Sequence, residues 1–189
     1  VYESIAQALR HAAFQVISII TTTGFVSADY ETWPAFSQLI LLICMFLGAM
    51  AGSTGGGMKT MRIMLLARHG YQQIFRVIHP HAVTTLKLGG RPVPEEILSS
   101  IWGFFILYIG IFVVASLVMA SLGLDLISSI GSVAASIGNI GPGLGVVGPE
   151  RNYLGIPLLG KWVLISCMLL GRLEIYTVIA LLAPAYWRK

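Results

Sequence analysis

The chain has 189 residues, of which 56% are hydrophobic and only 11% charged. Its mean hydropathy is +0.82, and soluble domains carry about a quarter charged residues, so a soluble globular enzyme is excluded and a membrane protein is expected. Twelve Lys and Arg against eight Asp and Glu leave a net charge of +4, which in so apolar a chain gives no sign of nucleic-acid binding; the placement of the cations carries the information.

Cys44 and Cys167 lie far apart inside apolar stretches, where a thiol behaves as a small buried hydrophobe, so no disulfide framework is expected. His11, His69, His79 and His81 include one H-x-H pair, with no Cys or carboxylate beside it to complete a metal shell. The start, Val1-Tyr2-Glu3, has no signal-peptide pattern and no initiator Met, and reads as the start of a fragment.

In chain order, Ser4 to Ile20 predicts a short apolar helix carrying Arg10 and His11, followed by Thr21-Thr22-Thr23-Gly24-Phe25. After an acidic turn at Asp29 and Glu31, Phe36 to Ala51 predicts a spanning helix that runs into a glycine stretch, with Pro34 just before it. Residues 59–96 read as a basic connection with Lys59, Arg62, Arg68, Arg76, Lys87 and Arg91, and with a solvated His79-Pro80-His81 turn. Ile97 to Ser121 predicts a second span. Leu126 to Ile137 is again short and leads into Gly138-Asn139-Ile140-Gly141-Pro142-Gly143. Past a turn at Glu150-Arg151, Ile156 to Tyr186 predicts a third span, with Pro157 just inside its start and Arg188-Lys189 after its end. A membrane helix takes about 20 apolar residues, and runs of about 10–14 form re-entrant or buried segments.

The positive-inside rule assigns 59–96 to the cytoplasm and the turns near Asp29 and Glu150 to the outside. With three spans, 126–137 must then enter and leave on the outer side as a re-entrant helix. Trp102, Trp162 and Trp187 fall at predicted helix ends as interface anchors, and Lys161 is expected to snorkel to the interface.

Sliding the chain along itself sets Val16 on Val133, Ile20 on Ile137 and Gly24 on Gly141. Each copy runs as a short helix, a small-polar glycine stretch, an external turn and a long helix, which marks an internal repeat. Irregular backbone at membrane depth survives only where protein buries it or where it lines a water-filled path. Each stretch alone reads as a helix C-cap followed by a turn. The same stretch twice in the same context favours an ion filter, in which carbonyl oxygens replace the water around a cation.

Gly52-Ser53-Thr54-Gly55-Gly56-Gly57-Met58-Lys59-Thr60 superficially matches a phosphate-binding loop. That pattern requires Lys directly after its second spaced glycine, where Met58 stands, and a preceding strand. The run instead predicts a broken helix with flexible backbone, either a gate or a linker. Drawn as one helix from Leu158 to Tyr186, the last span puts Arg172 about 21 Å from either end, and a mid-membrane charge is a functional hypothesis by default. Arg172 is expected to brace the glycine loop; the plainer alternative is an ion pair with Glu174 or a bond to a neighbouring carbonyl.

TTTGF at 21–25, AGSTGGGMKTMR at 51–62, FRVIHPHAVTTLKLGGRPV at 75–93, SIGNIGPGLG at 136–145 and GRLEIYTV at 171–178 resemble the TrkH/TrkG/KtrB superfamily of potassium transporters, and TrkH-type subunits most closely. The resemblance implies an all-α membrane protein with re-entrant pore helices and spanning helices, in which this chain holds about 1.7 of four helix–pore-helix–helix repeats. Residues 1–58 then hold the pore helix, filter and broken second helix of the third repeat, 59–96 a cytoplasmic connection, and 97–189 the fourth repeat; the N-terminal repeats are missing. By resemblance, Thr22, Thr23 and Gly24 form one potassium-filter strand and Asn139, Ile140 and Gly141 another. Gly52, Ser53, Thr54, Gly55, Gly56, Gly57 and Lys59 form an intramembrane gate faced by Arg172. The implied setting is the bacterial inner membrane, as a multi-pass homodimer with a cytosolic ring of nucleotide-binding TrkA-type subunits. Asn139-Ile140 stands where the other strand has Thr22-Thr23, so the filter lacks fourfold chemical symmetry, and two strands cannot surround an ion.

The leading function is thus a potassium-uptake pore, passive or ion-coupled, with no catalytic constellation and no cofactor. The alternative is a non-transporting assembly subunit in which Gly48 and Gly52 serve close helix packing. An ATP-driven pump is disfavoured by the failed phosphate-loop pattern.

Overall fold

The computed structural model describes residues 2, 4–50, 52–53, 55–79, 86–182 and 184–187. Helix α1 spans Ile5–Ile20, α2 Ala35–Phe46, α3 Thr60–Ile78, α4 Glu95–Ser121, α5 Leu126–Ile137, α6 Leu158–Arg172, α7 Ile175–Leu182 and α8 Pro184–Trp187. Two short pairings complete it. Strands β1 (Leu47–Gly48) and β2 (Met58–Lys59) pair in parallel, with Leu47 opposite Met58 and Gly48 opposite Lys59. Strands β3 (Lys87–Leu88) and β4 (Arg91–Pro92) form a hairpin whose turn, Gly89-Gly90, takes φ of 57° and 82°; two successive positive φ values are the demand of a type I′ turn.

The helix starts follow from local chemistry. Ser4 Oγ accepts from the Gln7 N–H at 3.2 Å and caps α1, and Asp125 Oδ2 accepts from the Ser128 N–H at 3.2 Å and caps α5. Pro34, Pro94 and Pro157 precede α2, α4 and α6, where a missing N–H costs nothing. Helix α5 is the centre of the molecule: Val133, Ala134, Ala135 and Ile137 are buried, and its small serines, alanines and glycine let α2, α4 and α6 pack around it.

Two apolar clusters form around it. One joins Phe104, Tyr108, Ala115 and Met119 of α4 to Val133 and Ile137 of α5 and to Leu164 and Cys167 of α6. The other joins Ile19 of α1, Tyr30, Trp33 and Leu41 to Ala134 and Ile140. The outward faces, including Ile5, Leu9, Leu39, Ile106, Val114 and Leu117, are apolar and exposed.

Three expectations are corrected. The span 36–51 ends at Phe46 after 12 residues, about 18 Å of helix, because Leu47 and Gly48 leave the helix to pair with Met58 and Lys59. The basic connection 59–96 contains the 19-residue helix α3, whose cations Arg62, Arg68 and Arg76 disguised an amphipathic pattern as a solvated loop. The span 156–186 breaks after Arg172, where the helix direction bends by 109°. Arg172 therefore ends a half-helix instead of sitting within a continuous one.

The break has a local cause. Leu173 N–H still closes onto Leu169 O at 3.0 Å, but Glu174 turns to a φ of 60°, and its carbonyl then accepts from Thr177 N–H to begin α7. Among the described residues, α4 alone is long and apolar enough to cross a membrane as one helix, and the α6–α7 pair passes only if counted together. The predicted turn at Pro80-His81 and the terminal Arg188-Lys189 lie outside the described residues.

Candidate functional site

The C-terminal ends of α1 and α5 are the same structure built twice. After α1, Thr22 N–H donates to Ile19 O at 3.0 Å and Thr23 N–H to Ser18 O at 2.9 Å. After α5, Asn139 N–H donates to Ser136 O at 3.0 Å and Ile140 N–H to Ala135 O at 2.9 Å. This is the Schellman motif, so the C-cap reading is correct for the first residues of each stretch. What a plain cap does not require is the rest. The left-handed position is taken by Thr22 and Asn139, with φ of 56° and 55°, where glycine is the unstrained choice. A second left-handed residue follows two positions later, Gly24 at 76° and Gly141 at 108°.

The two stretches touch. A methyl group on Gly24 would overlap the carbonyl oxygen of Ile140 and come within 3.3 Å of Pro142 Cδ. Gly141 has open space at the same position, and its requirement for glycine is conformational only. The Thr21 and Thr23 hydroxyls lie 2.8 Å apart, and Asn139 Nδ2 donates to Met168 O of α6 at 3.1 Å. Neither α1 nor α5 has a basic residue in its last turn, so the partial negative charge of each helix end, about half a unit, is left uncompensated beside the stretches.

The glycine loop lies against both. A methyl group on Gly56 would overlap the Gly138 carbonyl and fall 2.9 Å from Asn139 Cβ, and one on Gly55 would fall 3.2 Å from Thr22 Oγ1. Lys59 Nζ donates to the carbonyls of Ser53 and Gly55, Gly55 N–H donates to Ser53 Oγ at 3.1 Å, and Thr60 Oγ1 donates to Gly48 O at 2.7 Å. Gly57, at φ 75°, turns the chain into β2. Thr54 lies outside the described residues. Gly48 packs on Gly56 and Met58 of its own loop and Gly52 meets nothing within 4 Å, so this pair makes no helix–helix seam.

Arg172 is exposed and makes no hydrogen bond or ion pair among the described residues. The glycine before it marks the close contact: a methyl group on Gly171 would overlap the Ile137 carbonyl, which seats α6 on the end of α5. Glu174 pairs with Arg62 of α3, Nη2 to Oε2 at 3.1 Å, and not with Arg172, and Arg62 also lies 4.3 Å over the Phe104 ring.

Sequence reasoning placed turns near Asp29 and Glu150 but missed what they hold. Asp29 caps Glu31 N–H at 3.0 Å and Asn152 caps Leu154 N–H at 3.0 Å; each opens a one-turn helix, Tyr30–Thr32 and Tyr153–Gly155. Gln38 Nε2 donates to Glu31 O at 2.7 Å, and Lys161 Nζ donates to Leu154 O at 3.1 Å, so each braces the turn before its helix. The signal was present as Asp-Tyr and Asn-Tyr four residues before the Pro34 and Pro157 helix starts. Tyr30 Oη donates to Gly143 O at 2.8 Å and Tyr153 Oη to Gly141 O at 2.5 Å. Burial raises both phenols above their ordinary value, reinforced at Tyr30 by the Glu31 carboxylate, so both remain hydroxyl donors at neutral pH. Among the described residues, no group of three or more His, Cys, Asp or Glu stands together to hold a metal.

The TrkH family profile, described as a cation transport protein, matches residues 2–189. The Trk system potassium uptake protein TrkH of Halomonas elongata is 44% identical over 188 residues, covering 100% of this chain and 38% of its own length. Escherichia coli TrkH is 44% identical over 189 residues, 39% of its length, and the E. coli potassium uptake protein TrkG is 35% identical over 179 residues, 95% of this chain and 36% of its own. The crystal structure of the potassium transporter TrkH from Vibrio parahaemolyticus superposes with a TM-score of 0.90 at 44% identity, over 99% of this chain and 40% of that one. The chain thus spans about two fifths of the length of the relatives it matches, as expected for part of an all-α membrane protein of this type. It belongs to the TrkH family of cation transport proteins.

Proposed function

We propose that this chain supplies part of a potassium-uptake transporter: two of the strands that line an ion filter, and the loop that gates the path beneath them. The observation that carries the reading is the twice-built, glycine-bearing helix end at Thr22–Gly24 and Asn139–Gly141, with Gly24 against the Ile140 carbonyl. Two uncompensated helix C-termini favour a cation there, and backbone carbonyls substitute for its water. The names of the relatives supply the ion.

In this reading Thr22, Thr23, Gly24, Asn139, Ile140 and Gly141 belong to the filter. Gly52 through Gly57, held by Lys59 on the Ser53 and Gly55 carbonyls, form the gate. Arg172 acts on that gate from the end of α6; support comes from Gly171 and Gly56, which crowd the successive carbonyls of Ile137 and Gly138. Two strands cannot enclose an ion, so further repeats complete the pore in a protein of TrkH length. That protein is a multi-pass homodimer of the bacterial inner membrane. Its cytoplasmic face at 59–96 meets a ring of TrkA-type nucleotide-binding subunits through the exposed cations of α3 and the β3–β4 hairpin.

The test is Rb⁺ uptake, with Na⁺ competition, into liposomes carrying either the TrkH-length protein that contains these residues or this chain alone. Selective uptake by the former and none by the latter is expected. Folded TrkH-length protein that passes no Rb⁺ would overturn the reading in favour of an assembly subunit.

A further inference from the structure

The third and fourth stretches are held in place by different means. Ser18 Oγ, on α1 itself, donates to Phe25 O at 2.7 Å and anchors the strand that follows its own helix. The repeat sets Ala135 where α1 has Ser18, and Pro142 where the first strand has Phe25. Alanine has no donor, so α5 cannot make this bond. Gly141-Pro142-Gly143 is also poor in internal anchors: two residues without side chains flank one without an N–H. Its backbone is tied through Gly143 N–H, which donates to Val147 O at 2.8 Å.

Two phenols fill the gap. Tyr30, with 0% of its surface exposed, reaches from the third repeat across 113 residues to Gly143 O at 2.8 Å. Tyr153, the residue at the matching place in the fourth repeat's own turn, reaches Gly141 O at 2.5 Å. Both side chains start from capped, one-turn helices, and the Tyr30 ring is wedged edge-on against Trp33 at 6.4 Å. The same turn grips the chain beyond the strand: Glu31 Oε2 pairs with Arg151 Nε at 3.5 Å, and the Glu31 carboxylate fills the space where Gly148 would carry a side chain.

We infer that Tyr30 and Tyr153 are positioning residues for ion selectivity: their hydroxyls set the Gly141–Gly143 backbone, and so the fourth filter strand, through a clamp that the third strand replaces with Ser18. The inference rests on the filter reading above. A strand free to shift by a fraction of an ångström adapts to a smaller cation, so loss of a hydroxyl lowers discrimination more than throughput. Because Tyr30 belongs to the neighbouring repeat, it also sets the spacing between two strands, which Tyr153 does not.

Tyr30→Phe, Tyr153→Phe and the double variant in the TrkH-length protein remove only the oxygens. For each, Rb⁺ uptake is measured with Na⁺ as competitor, together with thermal unfolding of the purified protein. The expected result is about a five-fold fall in preference for Rb⁺ over Na⁺ for each single variant, the factor that corresponds to one ordinary hydrogen bond, and a larger fall for the double. Ser18→Ala should do the same through the third strand. A merely structural role would lower the amount of folded protein and the uptake rate in proportion, with the preference unchanged, and that result overturns the clamp. If Tyr30→Phe fails to fold, the partly exposed Tyr153→Phe decides the matter by the same ratio. Absence of any Rb⁺ selectivity in the parent would instead sink the filter reading itself, so the two failures are distinguishable.

Discussion

Gly56 and Gly138 meet backbone to backbone, with no room for a methyl group between the loop after α2 and the carbonyl that ends α5. A loop pressed against that point lies against the small-polar stretch after α5, and Gly55 lies against the one after α1, beside Thr22. Gly56→Ala must push the loop away, at about 1–3 kcal/mol for an overpacked contact without relaxation. The expected outcome is altered gating with ion preference retained: a higher basal Rb⁺ uptake rate and an unchanged response to Na⁺. Lower preference with an unchanged rate would show that the contact supports the filter and not the gate.

Gly24 and Gly141 look equivalent in the sequence, but only Gly24 is both left-handed and sterically closed. Alanine at Gly141 bears the left-handed cost alone, about 1–2 kcal/mol, and Gly24→Ala adds an overlap with the Ile140 carbonyl. Gly24→Ala should therefore abolish selective uptake or folding, whereas Gly141→Ala should give a folded protein with weakened preference for Rb⁺ over Na⁺. Equal effects in both assays would refute the difference.

The contrast between these two glycines shows what a sequence can carry. The repeat, the limits of α5 at Leu126–Ile137 and the pairing of the two small-polar stretches were legible because they depend on local pattern: apolar runs and a glycine after the helix. The break after Arg172 was not, since no proline stands there, Gly171 lies inside α6, and Glu174 takes an uncommon backbone conformation while reaching Arg62, 112 residues away. Helix α3 was hidden by its own cations. The Tyr30–Gly143 bond was equally out of reach, because its partners share no local pattern and are joined only by the packing of one repeat on the next.

The Arg62–Glu174 pair spans the start of α3 and the α6–α7 break, with side-chain exposures of 27% and 47%. At that exposure the bond is worth no more than about 1 kcal/mol, so it steers geometry more than it stabilises. Glu174→Gln should leave the unfolding temperature nearly unchanged. Glu174→Gly should be tolerated as well, since glycine relieves the φ of 60°, whereas Glu174→Val should destabilise clearly because a branched Cβ resists that region. Thermal unfolding of the three variants gives the order, and a benign Glu174→Val would refute the backbone account.

Asp125 caps the central helix from an exposed position, and its hydrogen bonds to Ser128 hold its carboxyl below the ordinary carboxylate range. A folded-state value lower than the unfolded one means that the unfolded chain binds the proton more tightly. The contribution of the cap is then fully present above the ordinary value of about 4 and is lost as the pH falls through the lower folded value. At neutral pH, Asp125→Ala should cost about 1 kcal/mol, the usual loss of an N-cap. Asp125→Asn keeps an acceptor for the Ser128 N–H but cannot titrate, so its stability should match the parent more closely at acid pH than at neutral pH. Unfolding temperatures of parent, Asp125→Ala and Asp125→Asn from neutral to acid pH measure both effects. A gap between parent and Asp125→Ala that persists undiminished into acid would show that the cap acts through packing, independent of its charge.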